Sequence, residues 1–335
     1  MVTIYDIAKQ TGFAPATVSK ALNNYYGVNP KTRETILSAA RSMNYTPNTS
    51  ARSLKTKKTW LVGVLFSEEV YTGIAHSHFG GILASAQSRL AKAGYDVVFI
   101  SNNMSGKKMS YIDHCVTRGV EGVIVAASSN FNQSVECVLS SGINMVSVET
   151  PYADKYSVLC DNRQGVLQAI EYLRELGHRD IAHISCPQNS TAGEERNAAF
   201  IEYMRTSGLP LTLGWIEETA NYGVAEGYAA TEKMMKNCAK KPTAIFAGYG
   251  EAAVGVINCL EDMNYKIPEQ ITVVGFDNLE MSVARDITSI GQDRVGIGEL
   301  AADLLIGQIE GREFPYPFDN RLETELLRRS TCKKL

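Results

Sequence analysis

The sequence predicts a small, all-helical head followed by a larger α/β body whose sheets are parallel. Apolar residues recur three and four positions apart through residues 1–45, as in short amphipathic helices. Beyond residue 60, short apolar runs alternate with helical stretches, which is typical of parallel sheets covered by helices. The charge changes at the same place: residues 1–60 carry nine Lys and Arg and two acidic residues, whereas residues 61–335 carry 24 basic and 34 acidic ones.

The composition limits the class of protein. The chain has 335 residues, of which 44% are hydrophobic and 21% charged, values that exclude a disordered or collagen-like chain and suggest two or three domains. No apolar run is long enough for a transmembrane helix, and the first residues lack the pattern of a secretory signal. The seven cysteines are widely spaced and form no C-x-x-C motif. We therefore expect free thiols in a reducing cytoplasm, and neither a disulfide framework nor a zinc site.

Two short helices and a tight turn open the head. Thr3 is a suitable N-cap, with Asp6 three residues later, and Gly12 suits the end of that helix. Pro15 suits the first turn of a second helix, and Asn29 followed by proline predicts the start of a third. Two short helices joined by a glycine-containing turn predict a helix-turn-helix.

The two faces of the second helix differ. Its inward stripe is predicted to be Ala14, Val18, Ala21 and Leu22. Its outer face is small and polar and consists of Ala16, Ser19, Lys20 and Asn23. Such a face fits the major groove of DNA, and the positive charge of the head favours DNA binding over a generic three-helix packing unit.

A basic connector, NTSARSLKTKK at 48–58, follows the head. In a helix, Ala51 and Leu54 would lie on one face. An exposed leucine among basic residues is typical of a wedge inserted into a minor groove, whereas an ordinary flexible linker would give Leu54 no role.

The body contains seven predicted strands and helices such as Gly165–Leu176 and Val295–Ile309. The strands are Leu61–Phe66, Tyr95–Ser101, Gly122–Ala126, Asn144–Val148, Ile181–Ser185, Thr243–Ala247 and Ile271–Phe276. This number of elements needs two sheets, and ligands of such sheets bind beyond the carboxyl ends of the strands.

The motifs of the chain resemble those of the lactose-repressor (LacI/GalR) family. In the head these are TIYDIAKQTG, TVSKALNN, TRETI and ARSL; in the body they are DNRQG at 161–165, LGHRDIA at 176–182 and VVGFDN at 273–278. The resemblance implies a cytoplasmic, homodimeric, sequence-specific DNA-binding regulator of the repressor type. Its partners would be a pseudo-palindromic double-stranded operator and a small-molecule effector, a sugar or related polar metabolite, with no membrane partner.

The resemblance also implies a domain organisation. The helix-turn-helix domain would span 1–46, a hinge helix or linker 47–59, and an effector-binding and dimerisation domain 60–335. That last domain would have two lobes of the periplasmic-binding-protein type. Lobe 1 would comprise about 60–161 and 293–320, and lobe 2 about 162–292 and 321–335.

Residues matching the DNA contacts of the family lie mainly in the head. They are Thr3, Tyr5, Pro15, Ala16, Thr17, Ser19, Lys20, Asn23, Asn29, Thr32, Tyr45, Asn48, Ala51 and Leu54. Two departures affect the expected recognition. Ala14 replaces a serine that caps the helix and contacts a phosphate, and Pro15 and Ala16 cannot form bidentate hydrogen bonds to bases. Specificity then rests on Lys20, on DNA shape and on flanking contacts.

Four residues match the effector site of the family: Phe79, Arg196, Tyr249 and Asp277. The alternatives are an aromatic core position for Phe79, a surface ion pair for Arg196 and a helix cap for Asp277. The family often has Asn-Asp where this chain has Tyr249 and Gly250. We therefore expect an effector that differs from a common monosaccharide.

A nucleotide-binding α/β enzyme is the alternative function. The segment GYGEAA at 248–253 imitates a dinucleotide fingerprint, with Asp277 as the ribose-binding acid. The 29-residue spacing from Gly248 to Asp277 exceeds the usual spacing of about 20, and the helix-turn-helix stays unexplained. The pairs His76/His78 and His178/His183 lack evident metal partners. We therefore expect neither enzymatic activity nor a cofactor, and the basic head disfavours a plain sugar-binding module.

Overall fold

The computed structural model describes residues 2–45, 58–66, 77–104, 106–126, 133–312, 314 and 317–335. The chain divides into two compact units, a head of Met1–Thr59 and a body of Trp60–Leu335. No helix of the described residues is long and apolar enough to cross a membrane.

The head contains three helices that begin where the sequence predicts, α1 Ile4–Thr11, α2 Pro15–Leu22 and α3 Pro30–Ser42, and α1 ends at the predicted Gly12. Thr3 and Asp6 form a reciprocal capping box, because the Thr3 side chain accepts from the Asp6 amide and the Asp6 carboxylate accepts from the Thr3 amide at 2.8 Å. Gly12 ends α1 with a φ of 75°, a left-handed conformation that favours glycine.

Small and branched side chains from all three helices form the core of the head. Its buried members are Ile7, Ala8, Val18, Ala21, Ile36 and Ala40. The inward placement predicted for Ala14 is wrong: Ala14 is the exposed N-cap of α2, and its extended backbone places it before the helical stripe begins. Ala14 makes no side-chain capping bond, as its lack of a hydroxyl dictates.

The body alternates strands with helices. Its strands are β1 Leu61–Phe66, β2 Asp96–Ile100, β3 Asn103–Met104, β4 Lys107–Lys108, β5 Gly122–Ala126, β6 Asn144–Val148, β7 Tyr156–Cys160, β8 Ile181–Ser185, β9 Ile216–Glu218, β10 Ala244–Ala247, β11 Thr272–Val274, β12 Ser289–Gln292, β13 Asp319–Leu322 and β14 Thr324–Leu327. Its helices are α4 Ser77–Lys92, α5 Tyr111–Arg118, α6 Gln133–Leu139, α7 Asn162–Glu175, α8 Thr191–Thr206, α9 Val224–Asn237, α10 Gly250–Asp262, α11 Glu280–Ala284 and α12 Arg294–Glu310.

Two parallel sheets organise the body into two lobes. The first has the order β13-β7-β6-β5-β1-β2 and the second the order β11-β10-β8-β9. The chain runs from β7 into α7 and the second sheet, and returns along β12 to α12 in the first lobe. After β13 it crosses again as β14, which pairs antiparallel with β12. Three connections therefore link the lobes.

The strand predictions are confirmed at β1, β5, β6 and β8, and to within two residues at the ends of β2, β10 and β11. The connecting strands β7, β12, β13 and β14 were not predicted. β13 lies at the edge of its sheet and carries the exposed Asp319 and Arg321, so its polar sequence lacks the apolar run of a buried strand.

Glycines at the start of α12 serve helix packing. A Cβ on Gly298 would lie 2.3 Å from the Ile82 carbonyl oxygen of α4, which a side chain cannot tolerate. The absence of a side chain at Gly298 therefore allows close contact between α12 and α4.

Candidate functional site

A cavity of about 480 Å³, including the part open to solvent, lies between the two lobes of the body. The residues lining it are His78, Phe79, Glu149, Thr150, Ser190, Thr191, Ala192, Arg196, Tyr222, Glu251 and Asp277. His78 and Phe79 lie in the first turn of α4, and Glu149 and Thr150 follow β6; the others belong to the second lobe. The cavity thus occupies the place expected for parallel sheets, where strands end.

An ion pair, buried on both sides, lies on the wall of this cavity. Arg196 Nη1 is 3.2 Å from Asp277 Oδ1, and the two side chains are 4% and 8% exposed. Asp277 Oδ1 also accepts from Gln292, and Asp277 Oδ2 accepts from the Gly250 amide at 3.0 Å. Burial alone would raise the pKa of Asp277, but Arg196 and these donors outweigh it, so the pKa lies below its usual value.

The Arg196 guanidinium is held on several sides. Nε donates to Asn162 Oδ1 at 2.7 Å, and Nη1 donates to the Gly248 carbonyl at 2.7 Å. The guanidinium also lies 3.8 Å from the centre of the Phe276 ring, a favourable cation–π distance. The surface ion pair considered for Arg196 is therefore wrong, because both charges are buried and Arg196 is an internal anchor.

A chain of side-chain hydrogen bonds runs from this ion pair to the connections between the lobes. Asn162, at the start of α7, accepts from Arg196 and donates to Glu195 Oε2 at 2.8 Å. Glu195 in turn accepts from both terminal nitrogens of Arg321 at 2.8 and 2.9 Å. Because Gln292 of β12 also bonds to Asp277, all three connections are joined to the wall of the cavity.

The backbone at Asp277 has an unusual conformation. Asp277 and Asn278 both have positive φ, 71° and 51°, which costs a non-glycine residue about 1 kcal/mol or more. Asn278 is held by Arg329, whose Nη2 donates to its Oδ1 at 2.7 Å. This backbone conformation brings the Asp277 carboxylate to the N-terminus of α10, so the helix-cap role considered for Asp277 coexists with the ion pair.

Two glutamates of the lining were not identified from the sequence. Glu149 follows β6 and is 7% exposed, and burial raises its pKa to about 7. Its Oε1 accepts no hydrogen bond from the described residues and lies 3.9 Å from His78 Nε2. Glu251, in the first turn of α10, accepts from Ser77 Oγ of the other lobe at 2.9 Å, and burial raises its pKa as well.

Of the two aromatic residues predicted at the effector site, one lines the cavity and the other does not. Phe79 lines the cavity and also packs edge-on against Phe66 at 5.4 Å. Tyr249 does not line it: its side chain is fully buried, and its hydroxyl donates to the Gly223 carbonyl at 3.3 Å. Tyr222 lies between, since its ring is 5.0 Å from that of Tyr249 and its hydroxyl is 2.8 Å from Ser190 Oγ. Tyr249 therefore supports Tyr222 from behind.

The geometry disfavours the nucleotide-binding alternative. The Gly250 amide, which a pyrophosphate would need, already donates to Asp277. A Cβ on Gly250 would lie 2.7 Å from Leu279, and one on Gly248 would lie 3.1 Å from Cys186 and His183. These glycines permit tight packing inside the second lobe.

The histidines of the second lobe are structural. His183 stacks between Phe200 and Phe246, and burial lowers its pKa to about 4. His178 bonds to Thr243 Oγ1 and to the Lys333 carbonyl, both at 3.0 Å. Within the described residues no group of three His, Cys, Asp or Glu could hold a metal ion. His76 lies outside those residues.

The residues predicted to contact DNA fall into three groups on the head. The exposed ones are Thr3, Tyr5, Ala16, Lys20, Asn23 and Asn29. The half-buried ones are Pro15, Thr17, Ser19, Thr32 and Tyr45. Asn48, Ala51 and Leu54 lie outside the described residues. The outer face of α2 is thus open to solvent, with the Asn23 amide group turned back to donate to the Ser19 carbonyl at 2.8 Å.

Comparison with known families gives one match in the head and one in the body. A family described as bacterial regulatory proteins, lacI family, matches residues 3–48, and a periplasmic binding protein-like domain matches residues 170–332. The HTH-type transcriptional repressor PurR of Actinobacillus pleuropneumoniae serotype 3 (strain JL03) is 28% identical over 100% of this chain and 99% of its own. Catabolite control protein A of Priestia megaterium is 29% identical, over 91% of both chains.

Solved structures share the fold. The lac repressor dimer bound to operator and the anti-inducer ONPF superposes with a TM-score of 0.84 at 24% identity, covering 99% of both chains. The transcriptional regulator CelR in complex with cellobiose superposes with a TM-score of 0.71 at 25% identity, covering 99% of this chain and 100% of its own.

Proposed function

Since this chain belongs to the lacI family of bacterial regulatory proteins, we propose which of its residues bind DNA and which bind the effector. The protein is a DNA-binding transcriptional repressor controlled by a small molecule, and not an enzyme. The observation that carries the assignment is the buried Arg196–Asp277 pair in the cavity between the lobes, because its hydrogen bonds reach every connection between them.

The outer face of α2 reads the operator. Ala16 and Pro15 offer apolar contact to thymine methyl groups, and Lys20 is a donor that can reach guanine. The other predicted residues of the head hold its position on the phosphates and sugars, which gives salt-dependent affinity. Two copies of the chain present α2 twice, so a homodimer binds a pseudo-palindrome.

The effector occupies the cavity between the lobes. Arg196, Asp277 and Phe79 are proposed as lining residues, and Tyr249 acts through Tyr222. The division of the chain at about 161, 292 and 320 into two lobes is proposed from the connections between the sheets. An effector that moves one lobe against the other displaces the hydrogen-bonded chain from Arg196 to Arg321.

The hinge, residues 47–59, converts this motion into a change of DNA affinity. Asn48, Ala51 and Leu54 are proposed to contact DNA there, with Leu54 inserted at the operator centre. Because both hinges of the dimer contact one operator, an effector that separates them weakens binding. We assign the protein to the cytoplasm, where a bacterial operator lies.

Selection of bound sequences from a randomised DNA pool at near-physiological salt, about 0.15 M, tests this function. We expect an enriched pseudo-palindrome. Lys20→Ala should relax the consensus at one position per half-site, whereas the control Lys9→Ala on α1 should leave the consensus unchanged. Loose, salt-sensitive binding without enrichment, with and without metabolite mixtures, would contradict sequence-specific recognition.

A further inference from the structure

The charge of the cavity restricts what it binds. Among the described lining residues there are three carboxylates, Glu149, Glu251 and Asp277, one guanidinium, Arg196, and one imidazole, His78, which carries charge only when protonated. Arg196 is already paired with Asp277, which also accepts from Gly250 and Gln292. Asp277 is therefore largely satisfied within the protein, and the other two carboxylates determine the charge that a ligand meets.

Glu149 needs a donor that the described residues do not supply. One of its oxygens accepts from the Cys160 amide, whereas Oε1 accepts no hydrogen bond from the part of the chain that the structure describes. His78 Nε2, at 3.9 Å, is beyond hydrogen-bond distance. A buried carboxylate oxygen without a donor is unfavourable, and here it borders a cavity that a ligand can enter.

Glu251 brings a second carboxylate to the cavity from the other lobe. Its contact with Ser77 Oγ spans the two lobes, so Glu149 and Glu251 face the same cavity from opposite sheets. Burial and the nearby Asp277 raise the pKa of both glutamates, as expected where negative charges are crowded and dehydrated.

The N-terminus of α8 is the main feature that would attract an anion. Thr191 and Ala192 line the cavity there, and a helix N-terminus carries about half a positive charge. Ser190 caps that end by accepting from the Gly193 amide, and Glu194 lies in the first turn. This partial positive charge, which is already capped, is smaller in magnitude than the negative charge of two carboxylates.

We propose that the effector carries a cationic nitrogen, an ammonium or guanidinium group on a small polar skeleton, which binds between Glu149 and Glu251. An ammonium supplies three donors and a guanidinium five, which matches the open Glu149 oxygen. Phe79 and Tyr222 add aromatic surface that is compatible with a cation. Because the two glutamates belong to different lobes, the bound cation draws the lobes together.

This inference rests on the proposed function and narrows its effector, and matched probes test it. Thermal unfolding of the full chain is followed with each probe in turn, and calorimetry then gives the affinities. Glucosamine, putrescine and agmatine are the cations, glucose and N-acetylglucosamine the neutral probes, and gluconate and glucose 6-phosphate the anions. Glucosamine and N-acetylglucosamine share a skeleton and differ in the charge of one nitrogen.

We expect at least one cation to raise the melting temperature, and its neutral and anionic counterparts to have no effect. Glu149→Gln and Glu251→Gln should each weaken binding of that cation about tenfold or more, whereas Glu269→Gln, on the exposed surface of the same lobe as Glu251, should not. Tighter binding of a neutral or anionic probe, or no binding of any cation, would overturn the proposal.

The wild-type comparison of glucosamine with N-acetylglucosamine remains decisive if a variant fails to fold. Binding of operator DNA by the same preparation distinguishes a failure of the cationic class of effector from a failure of the proposed function. A neutral or anionic ligand that releases the operator would contradict the cationic class alone, whereas a protein that binds no specific DNA would contradict the proposed function.

Discussion

Replacing Asp277 with asparagine removes the charge from the buried ion pair with almost no change of shape. Asp277 accepts from Arg196 and Gln292 on one oxygen and from the Gly250 amide on the other. An asparagine has one oxygen, so at least one of these donors must face an NH2 group. Arg196 would also stay buried, at 3% exposure, without its counter-ion.

These losses set the expected size of the effect. Removing one partner of a buried ion pair costs about 3–5 kcal/mol, and a buried donor left without an acceptor costs about 1–3 kcal/mol. The two terms overlap, so we expect a loss of about 4 kcal/mol from a total stability of about 5–15 kcal/mol. The native state of Asp277→Asn should be only marginally stable.

Urea unfolding followed by tryptophan fluorescence measures this loss in the full chain. Both tryptophans, Trp60 and Trp215, belong to the body, so the signal reports the body and not the head. Asp180→Asn is a matched control, because Asp180 pairs at 2.6 Å with a Lys240 side chain that is 65% exposed. Such a surface pair contributes at most about 1 kcal/mol.

The pH dependence provides a second check. The pKa of Asp277 is lowered by folding, so its contribution is present above the pKa of an unfolded aspartate and is lost as the pH falls through the native value. The variant should lack this dependence. If Asp277→Asn and Asp180→Asn lost equal stability, the ion pair would not hold the second lobe together, and its role as an internal anchor would be refuted.

Three further predictions concern other parts of the molecule. Because folding raises the pKa of Glu149 to about 7, the wild type should lose stability relative to Glu149→Gln as the pH rises from 4.5 to 7, by at most about 3 kcal/mol; parallel stability curves would contradict that shift. Ala14→Ser should add the missing cap of α2, stabilise the head by about 1 kcal/mol and strengthen operator binding through a phosphate contact. Calorimetry of the unfolding transition of the head measures the stability, and titration with operator DNA measures the affinity. Unchanged stability and affinity would mean that the serine hydroxyl finds no partner. Leu54→Ala should weaken specific binding more than nonspecific binding in competition assays, and an equal loss in both would remove the wedge assignment.

The strands of the body show how far sequence patterns predict the fold. β5 and β6 are continuous apolar runs because both faces of a parallel sheet are covered, and such runs stand out in a sequence. β13 and β14 carry polar residues at a sheet edge and in a two-stranded connection, and β13 pairs with β7, which lies more than 150 positions earlier in the chain. No local pattern reports that separation.

The site shows the same limit. Asp277 was identified from the family resemblance, and it also follows a predicted strand. Applying the strand-end rule to β6 would have found Glu149, which follows Val148 directly. Tyr249 satisfies the rule as well, yet it lies behind Tyr222, since the direction of its side chain is set by the start of α10. Position at a strand end predicts the neighbourhood of a residue, and tertiary packing decides whether its side chain reaches the cavity.

The lining of the cavity contains a buried ion pair and other residues outside that pair, and this difference matters for the engineering of biosensors from this protein. Arg196 and Asp277 have most of their polar atoms bonded within the protein, so libraries that vary them would yield mainly misfolded members. Glu149, Glu251 and Tyr222 line the same cavity and are not members of that buried pair. Varying these three positions while keeping the buried pair should change the effector specificity and preserve the control of DNA binding.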